Sequence, residues 1–221
     1  MDNIHRAGSL TISDNRADLV SALTNDWYIS HRAGETALMI GPTWYDVAEL
    51  NAAARQQLRA DGAIGDDVLA VGETGFALGD QVVGLKNNYQ LRILNGSRGT
   101  VVGLNGEGLD IRLEDGNNVS ATAEYLTEGH LTHGYAMTIH KAQGSTVQHC
   151  LTLGDEGGIY QEAGHVALSR GREKNAFYTV VSRDEFGLQR DDQLSDVRLA
   201  LGQSRAQVAA IDHNHTPERG L

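Results

Sequence analysis

The chain has 221 residues, enough to bury one sizeable core or one domain carrying a smaller inserted module. Its composition, 40% hydrophobic and 21% charged, is that of a soluble globular protein; no run approaches the roughly 20 consecutive apolar residues that cross a bilayer, and the opening MDNIHRAGSL lacks the layout of a secretory leader. The formal charge of -11 argues against a broad basic face for nucleic acid, yet leaves room for a short basic groove on an acidic body, because the local field governs binding. The single cysteine, Cys150, lies in the apolar run CLTL. One cysteine makes neither a disulfide framework nor a Cys-based zinc site, so it reads as a small core residue of a cytoplasmic protein.

In chain order, residues 16–29 place Val20, Leu23 and Trp27 on one helical face. Residues 36–41 (TALMIG) form a short, nearly unbroken apolar run, the pattern of a strand covered on both sides. Thr43 with Asp46 three residues later predicts a capped helix start, Val47, Leu50, Ala54 and Leu58 continue as an apolar stripe, and Asp61-Gly62 predicts its end. From residue 79 to about 126 the runs QVVGL, GTVVGL, LDIRL and NNVSA alternate with turn signals at Asn95-Gly96, Asn105-Gly106 and Asp115-Gly116, which predicts a small antiparallel barrel. Beyond Gly129 the expected order is a helix over 135–143, a strand over 147–153, a helix over about 160–170 and a strand over 176–181. The remainder is polar, with a candidate helix over 195–210 and a frayed end, DHNHTPERGL. The expected fold class is α/β: a discontinuous open parallel sheet domain, 1–75 with 128–185, interrupted by a β insertion at 76–127 and followed by a partly helical tail at 186–221.

Two segments concentrate side chains that suit phosphate. YAMTIHKAQGSTV, residues 135–147, gathers Thr138, His140, Lys141, Gln143, Ser145 and Thr146 around Gly144. Hydroxyls, an imidazole, an ammonium and open backbone N–H groups fit a nucleic-acid backbone or a phosphate chain, although a polar helix end with a glycine cap has the same composition. VALSRGREK, residues 166–174, places Arg170, Arg172 and Lys174 where a predicted helix ends. Cations there match the helix dipole in any protein; the functional alternative is a guanidinium aimed at a transferring γ-phosphate.

Taken together and in this order, the two segments resemble motifs V and VI of the RecD-like superfamily 1 DNA helicases. GDQVVGLKNNYQLRILNGSRGTVVGL, residues 79–104, resembles the family's stretch through a small SH3-like barrel inserted in its second motor domain, and LMIGPTWYDVAELNAAARQQL, residues 38–58, looks like the strand and helix that open that domain. The resemblance covers about residues 10–183. Its wording, LNGSRGTV, GHLTHGYAMTIHKAQGSTV and ALSRGREKN, is closest to the helicase part of TraI/TrwC-type conjugative relaxases.

The resemblance implies a RecA-like second motor domain. Thr138, His140, Lys141, Gln143 and Ser145 match positions near single-stranded DNA; Gly144, Arg170 and Arg172 match positions near nucleotide, with Arg170 as the arginine finger. Many relatives carry Glu where this chain has Thr146, which puts direct ribose contact in doubt. No Gly-x-x-x-x-Gly-Lys-Ser/Thr string occurs in the 221 residues, so the phosphate-wrapping loop is not among them. LTLGDEGG, residues 151–158, imitates a Walker B strand but follows motif V, which argues against that role. No relaxase-type three-His cluster with a nearby Tyr appears, and His213 and His215 are too isolated to form a metal site.

The expected partners are therefore single-stranded DNA and a first motor domain, with a relaxase domain as a further candidate. ATP and Mg²⁺ are expected only in the full-length enzyme, none tightly held by this chain, and the chain alone is expected not to hydrolyse ATP. The alternative is a vestigial helicase domain serving as a single-strand-binding or protein-interaction module.

Overall fold

Parallel strands need a crossover to connect them, and a strand buried on both faces is built of apolar residues throughout. The computed structural model, which describes residues 5–7, 10–142, 146–154 and 170–180, realises both conditions. The chain divides into two compact units, 1–47 with 138–221, and 48–137.

In the first unit, strand β1 (His5–Ala7) pairs antiparallel with β2 (Leu10–Ser13). Helix α1 (Arg16–Arg32) then crosses over to β3 (Ala37–Gly41). Two later strands, β12 (Val147–Leu153) and β13 (Gly171–Val180), join the same sheet, in which β1-β2-β13-β12-β3 are neighbours in that order, and β2, β13, β12 and β3 are all parallel. Every residue of β2 and β3 is buried. Helix α1 starts where the Asn15 side chain accepts from the Ala17 N–H, carries Asp18 in its first turn and His31 and Arg32 in its last, and buries Leu19, Val20, Leu23 and Trp27. On the strands Leu38, Met39, Ile40, Cys150, Leu151, Phe177 and Tyr178 are buried. The Tyr178 hydroxyl is not stranded by this burial: it donates to Asp26 at 2.6 Å.

Helix α2 (Trp44–Ala60) starts as the sequence predicts. Asp46 Oδ2 accepts from the Thr43 N–H at 2.8 Å and from the Thr43 hydroxyl at 2.6 Å, and the Asp46 N–H donates back to Thr43 Oγ1 at 3.2 Å. A Cβ on Gly41 would stand 2.8 Å from Asp46 Cβ, so only glycine lets β3 run this close to the helix's first turn. Thr43→Ala should cost about 1 kcal/mol, read from the urea midpoint, because it removes one side of the cap. An unchanged midpoint would mean that solvent satisfies the exposed N–H groups equally well.

The second unit holds the rest of α2, a hairpin of β4 (Asp67–Val71) and β5 (Thr74–Ala77), and a five-stranded antiparallel sheet. That sheet contains β6 (Gln81–Gly84), β7 (Arg98–Asn105), β8 (Gly108–Leu113), β9 (Asn118–Ala121) and β10 (Leu131–His133), in the order β10-β6-β7-β8-β9. The glycines of all three predicted turns, Gly96, Gly106 and Gly116, have positive φ. A short helix, α3 (Ala123–Thr127), capped by Thr122, buries Tyr125 and Leu126 in a core with Phe76, Val82, Ile93, Val101, Leu109, Ile111 and Leu131. Arg55 of α2 donates twice to the fully buried Asp80, which also accepts from Tyr135 and from the Ala77 N–H.

Two sequence expectations are corrected. The helix expected over 135–143 is not formed by its described residues, 135–142: Ala136–Thr138 is strand β11, and 139–142 form a turn. Tyr135, Ala136, Met137 and Thr138 are buried in succession, which suits a strand, whereas a helix would turn part of that run outward. Arg172 and Lys174 lie on the early part of β13 rather than at a helix end, because β13 begins at Gly171 and pairs with β12 from Val147 onward. The strands at 10–13 and 67–77 were not anticipated; each run is too short to show a period. Of the expected helix at 160–170 only Arg170 is described, and it is helical; the expected helix at 195–210, the tail, and Gln143, Gly144, Ser145 and Val181 lie outside the described residues.

Candidate nucleic-acid and nucleotide interface

In open α/β sheets ligands gather at strand ends, where loops and helix starts expose polar groups. The first unit presents such groups at both ends of its parallel sheet. At the carboxyl end of β3, Gly41 leads into the start of α2, and Trp44, its first residue, is 56% exposed. The Lys141 ammonium lies 4.7 Å from the centroid of the Trp44 indole, a cation–π geometry. Partial burial pushes the Lys141 ammonium below the ordinary lysine value. The neighbouring Asp46 is buried and engaged by Thr43 and by the Arg16 guanidinium, so its negative charge is compensated locally.

The turn that carries Lys141 is closed by the Ala142 N–H donating to the Thr138 carbonyl at 3.0 Å. His140 is exposed on this turn, whereas Thr138 is buried at 7% exposure and offers a ligand little side-chain surface. His140 and Lys141 are thus neighbours on one turn, which the Thr138 carbonyl closes.

At the amino end of the sheet, Val147 of β12 pairs with Gly171 of β13, and Thr146 and Arg170 are the residues that immediately precede these two adjacent strands. Thr146 is exposed; Arg170 is half-buried, and its Nε is buried with no hydrogen-bond partner among the described residues. Burial pushes the Cys150 thiol up to about 11, against the opposing pull of a Thr152 hydrogen bond and of the Arg170 charge. The backbone carrying Arg170 is held in place by Asn175: its Oδ1 accepts from the Gly171 N–H at 2.9 Å, and its Nδ2 donates to the Gly171 carbonyl at 2.8 Å. A Cβ on Gly171 would stand 2.2 Å from the Lys174 carbonyl and 3.0 Å from the Cys150 nitrogen, so this position accepts only glycine. Arg172 is exposed, and Lys174 lies 3.9 Å from Asp26.

The predicted residues therefore separate into two groups. His140 and Lys141 stand at one end of the sheet, Arg170 and Thr146 at the other. Sequence reasoning missed Asn175 and the pairing of Lys141 with Trp44. An asparagine five residues after an arginine carries no local signal, and a contact between residues 44 and 141 depends on the sheet order.

No family model matches the chain. The conjugal transfer protein TraA of Rhizobium radiobacter is 30% identical over 204 residues, which are 90% of this chain and 18% of that protein. The ATP-dependent RecD2 DNA helicase of Deinococcus radiodurans is 36% identical over 119 residues, 54% of this chain and 15% of its own length. Over these stretches the chain resembles RecD-like superfamily 1 helicase domains. Among solved structures, the Pif1 helicase from Bacteroides in complex with ADP-AlF3 and ssDNA superposes with a TM-score of 0.51 at 18% identity, covering 82% of this chain and 50% of that one, a likeness of fold. The chain spans less than a fifth of the TraA relative's length. Among its described residues no helix is long and apolar enough to cross a membrane.

Proposed function

We propose that this chain is the second motor domain of a conjugative relaxase–helicase, supplying part of a single-stranded DNA track and an arginine finger to an ATP site completed by a P-loop domain. The observation that carries the proposal is the placement of the motif residues at two ends of one sheet: His140 and Lys141 on an open turn, and Arg170 at the amino end of β13. One end then meets DNA while the other meets nucleotide, and a rigid sheet links them. The match to TraA over 90% of the chain supports the conjugative assignment, and a Pif1 helicase of similar fold, whose complex holds ssDNA, supports the choice of ligand. We assign the sheet of β6 to β10 to the family's SH3-like insertion.

ATP and Mg²⁺ would be held mainly by the P-loop domain, whose lysine, hydroxyl and carboxylates neutralise the phosphates. Arg170 would reach the γ-phosphate only when the cleft closes, which ties hydrolysis to stepping. Arg172, exposed one residue into β13, is assigned to the same nucleotide end, and Gly144, Gln143 and Ser145 to the link between the two ligands.

The test is fluorescence anisotropy of a labelled oligo-dT strand at low and moderate salt. The chain should bind weakly, with affinity falling steeply as salt rises, and Lys141→Ala should weaken binding and reduce the salt slope by about one phosphate contact. No binding at low salt would overturn the DNA-track assignment for this domain on its own.

A further inference from the structure

Trp44 and Lys141 come from distant parts of the chain, and their juxtaposition leaves a large apolar ring at the surface with a cation over its face. Exposed tryptophan is costly to leave in water, and the ammonium covers it only in part: 56% of Trp44 remains accessible. A lysine ammonium over an exposed ring is weakly bound, because water competes for the same charge. A nucleobase over the same ring is bound more strongly, since both surfaces are flat, aromatic and poorly hydrated. Exchange of the one for the other releases an ammonium next to a bound nucleotide, where the backbone supplies a phosphate for it. The acidic neighbour that would repel that phosphate, Asp46, is already paired with Arg16 and with both Thr43 donors.

We infer that Trp44 is a base-stacking platform for single-stranded DNA, capped by Lys141 in the free protein and uncovered when Lys141 moves to the adjacent phosphate. The inference rests on the DNA-track reading above and deepens it by naming the surface that receives a base. It also explains how an acidic chain can hold a polyanion: one stacked base and one neutralised phosphate need no basic stripe.

Tryptophan fluorescence tests this directly, because the chain has two tryptophans and the other, Trp27, is buried at 1% exposure. Titration of the full chain with oligo-dT should quench the emission in wild type and leave it unchanged in Trp44→Phe. By anisotropy, Trp44→Ala should bind about five- to a hundred-fold more weakly, the range for loss of one stacked base, while Trp44→Phe keeps most of the affinity. A ring this exposed can be removed without disturbing the core, and circular dichroism matching wild type checks that. Binding that disappears with Lys141→Ala but leaves Trp44 emission and Trp44→Ala affinity unchanged overturns the platform and spares the DNA track. Quenching by ATP at lower concentration than by oligo-dT also overturns it, since the ring would then serve a free nucleotide. Absence of oligo-dT binding at low salt overturns both.

Discussion

Asp80→Ala is expected to remove about 3–5 kcal/mol from the stability of the second unit, the cost of breaking a buried ion pair from one side. Asp80 has no exposed surface and accepts four hydrogen bonds, from Arg55 Nε at 2.9 Å, Arg55 Nη2 at 2.8 Å, the Tyr135 hydroxyl at 2.7 Å and the Ala77 N–H at 2.7 Å. Truncation takes the acceptor from the Tyr135 hydroxyl proton and from the Ala77 N–H at once. Arg55 keeps Asp67, at 2.6 Å, but Asp67 is more exposed and is shared with Arg59, so it offsets only part of the loss. Tyr135 is held as a neutral donor: burial raises its phenol far above the ordinary tyrosine value, and the Asp80 charge adds to that. The loss should appear in hydrogen exchange as faster opening of the β6, β7 and β8 amides. Glu114→Ala, which removes only the exposed end of the 3.4 Å pair with Arg98, should change stability by less than about 0.5 kcal/mol. An Asp80→Ala loss no larger than the Glu114→Ala loss would show that the network contributes no net stability.

The same cluster gives the second unit a dependence on acid. His133 sits 3.7 Å from Asp80 and bonds the Gly75 carbonyl through Nε2 at 2.9 Å. Burial lowers its pKa from the ordinary 6.5, Arg55 adds to that, and Asp80 opposes it. A histidine that titrates lower folded than unfolded is bound by fewer protons in the folded state. Its contribution is therefore complete above about 6.5 and declines as the pH falls below that value.

None of this cluster was legible in the sequence, and the reason is physical. Asp80 follows Gly79 in a run that reads as a turn, and nothing local marks it as buried; its partners come from positions 55, 77 and 135. Sequence shows what depends on near neighbours. Residues 36–41 read as a doubly covered strand because every residue is apolar or small, and β3 is buried throughout. Thr43 and Asp46 read as a cap because cap geometry is fixed by a spacing of three. The antiparallel strands from Gln81 to Ala121 were visible through their Asn-Gly and Asp-Gly turns. Residues 135–143 misled because Thr138, His140 and Lys141 have the composition of a polar helix end, and composition does not report that Tyr135 to Thr138 are buried in succession. The candidate site was legible as a set of residues, through their resemblance to two helicase motifs, but not as an arrangement. That His140 and Lys141 stand at the opposite end of the sheet from Arg170 follows only from the parallel register of β3, β12 and β13.

The largest effect of all is expected at Arg170, in the two-motor assembly obtained by joining this domain to a P-loop motor domain. Arg170→Ala should lower kcat for DNA-stimulated ATP hydrolysis by about 10³-fold or more while leaving oligo-dT affinity unchanged, because a finger contributes to the transition state and not to the DNA track. Its backbone is unusually well fixed for an edge residue: Asn175 holds Gly171 by both its N–H and its carbonyl, and Gly171 packs against the Lys174 carbonyl and the Cys150 nitrogen without room for a side chain. Such anchoring would suit the proposed finger, since misplacement of a catalytic guanidinium by an ångström forfeits much of the rate. Arg170→Lys should recover little, because an ammonium keeps the charge but not the planar fork that spans two phosphate oxygens. Asn175→Ala should lower kcat less than Arg170→Ala and leave DNA affinity alone, which separates loss of aim from loss of the group itself. A kcat within about tenfold of wild type for Arg170→Ala would exclude it as the finger. The function would then have to be sought at Arg172, the arginine within β13.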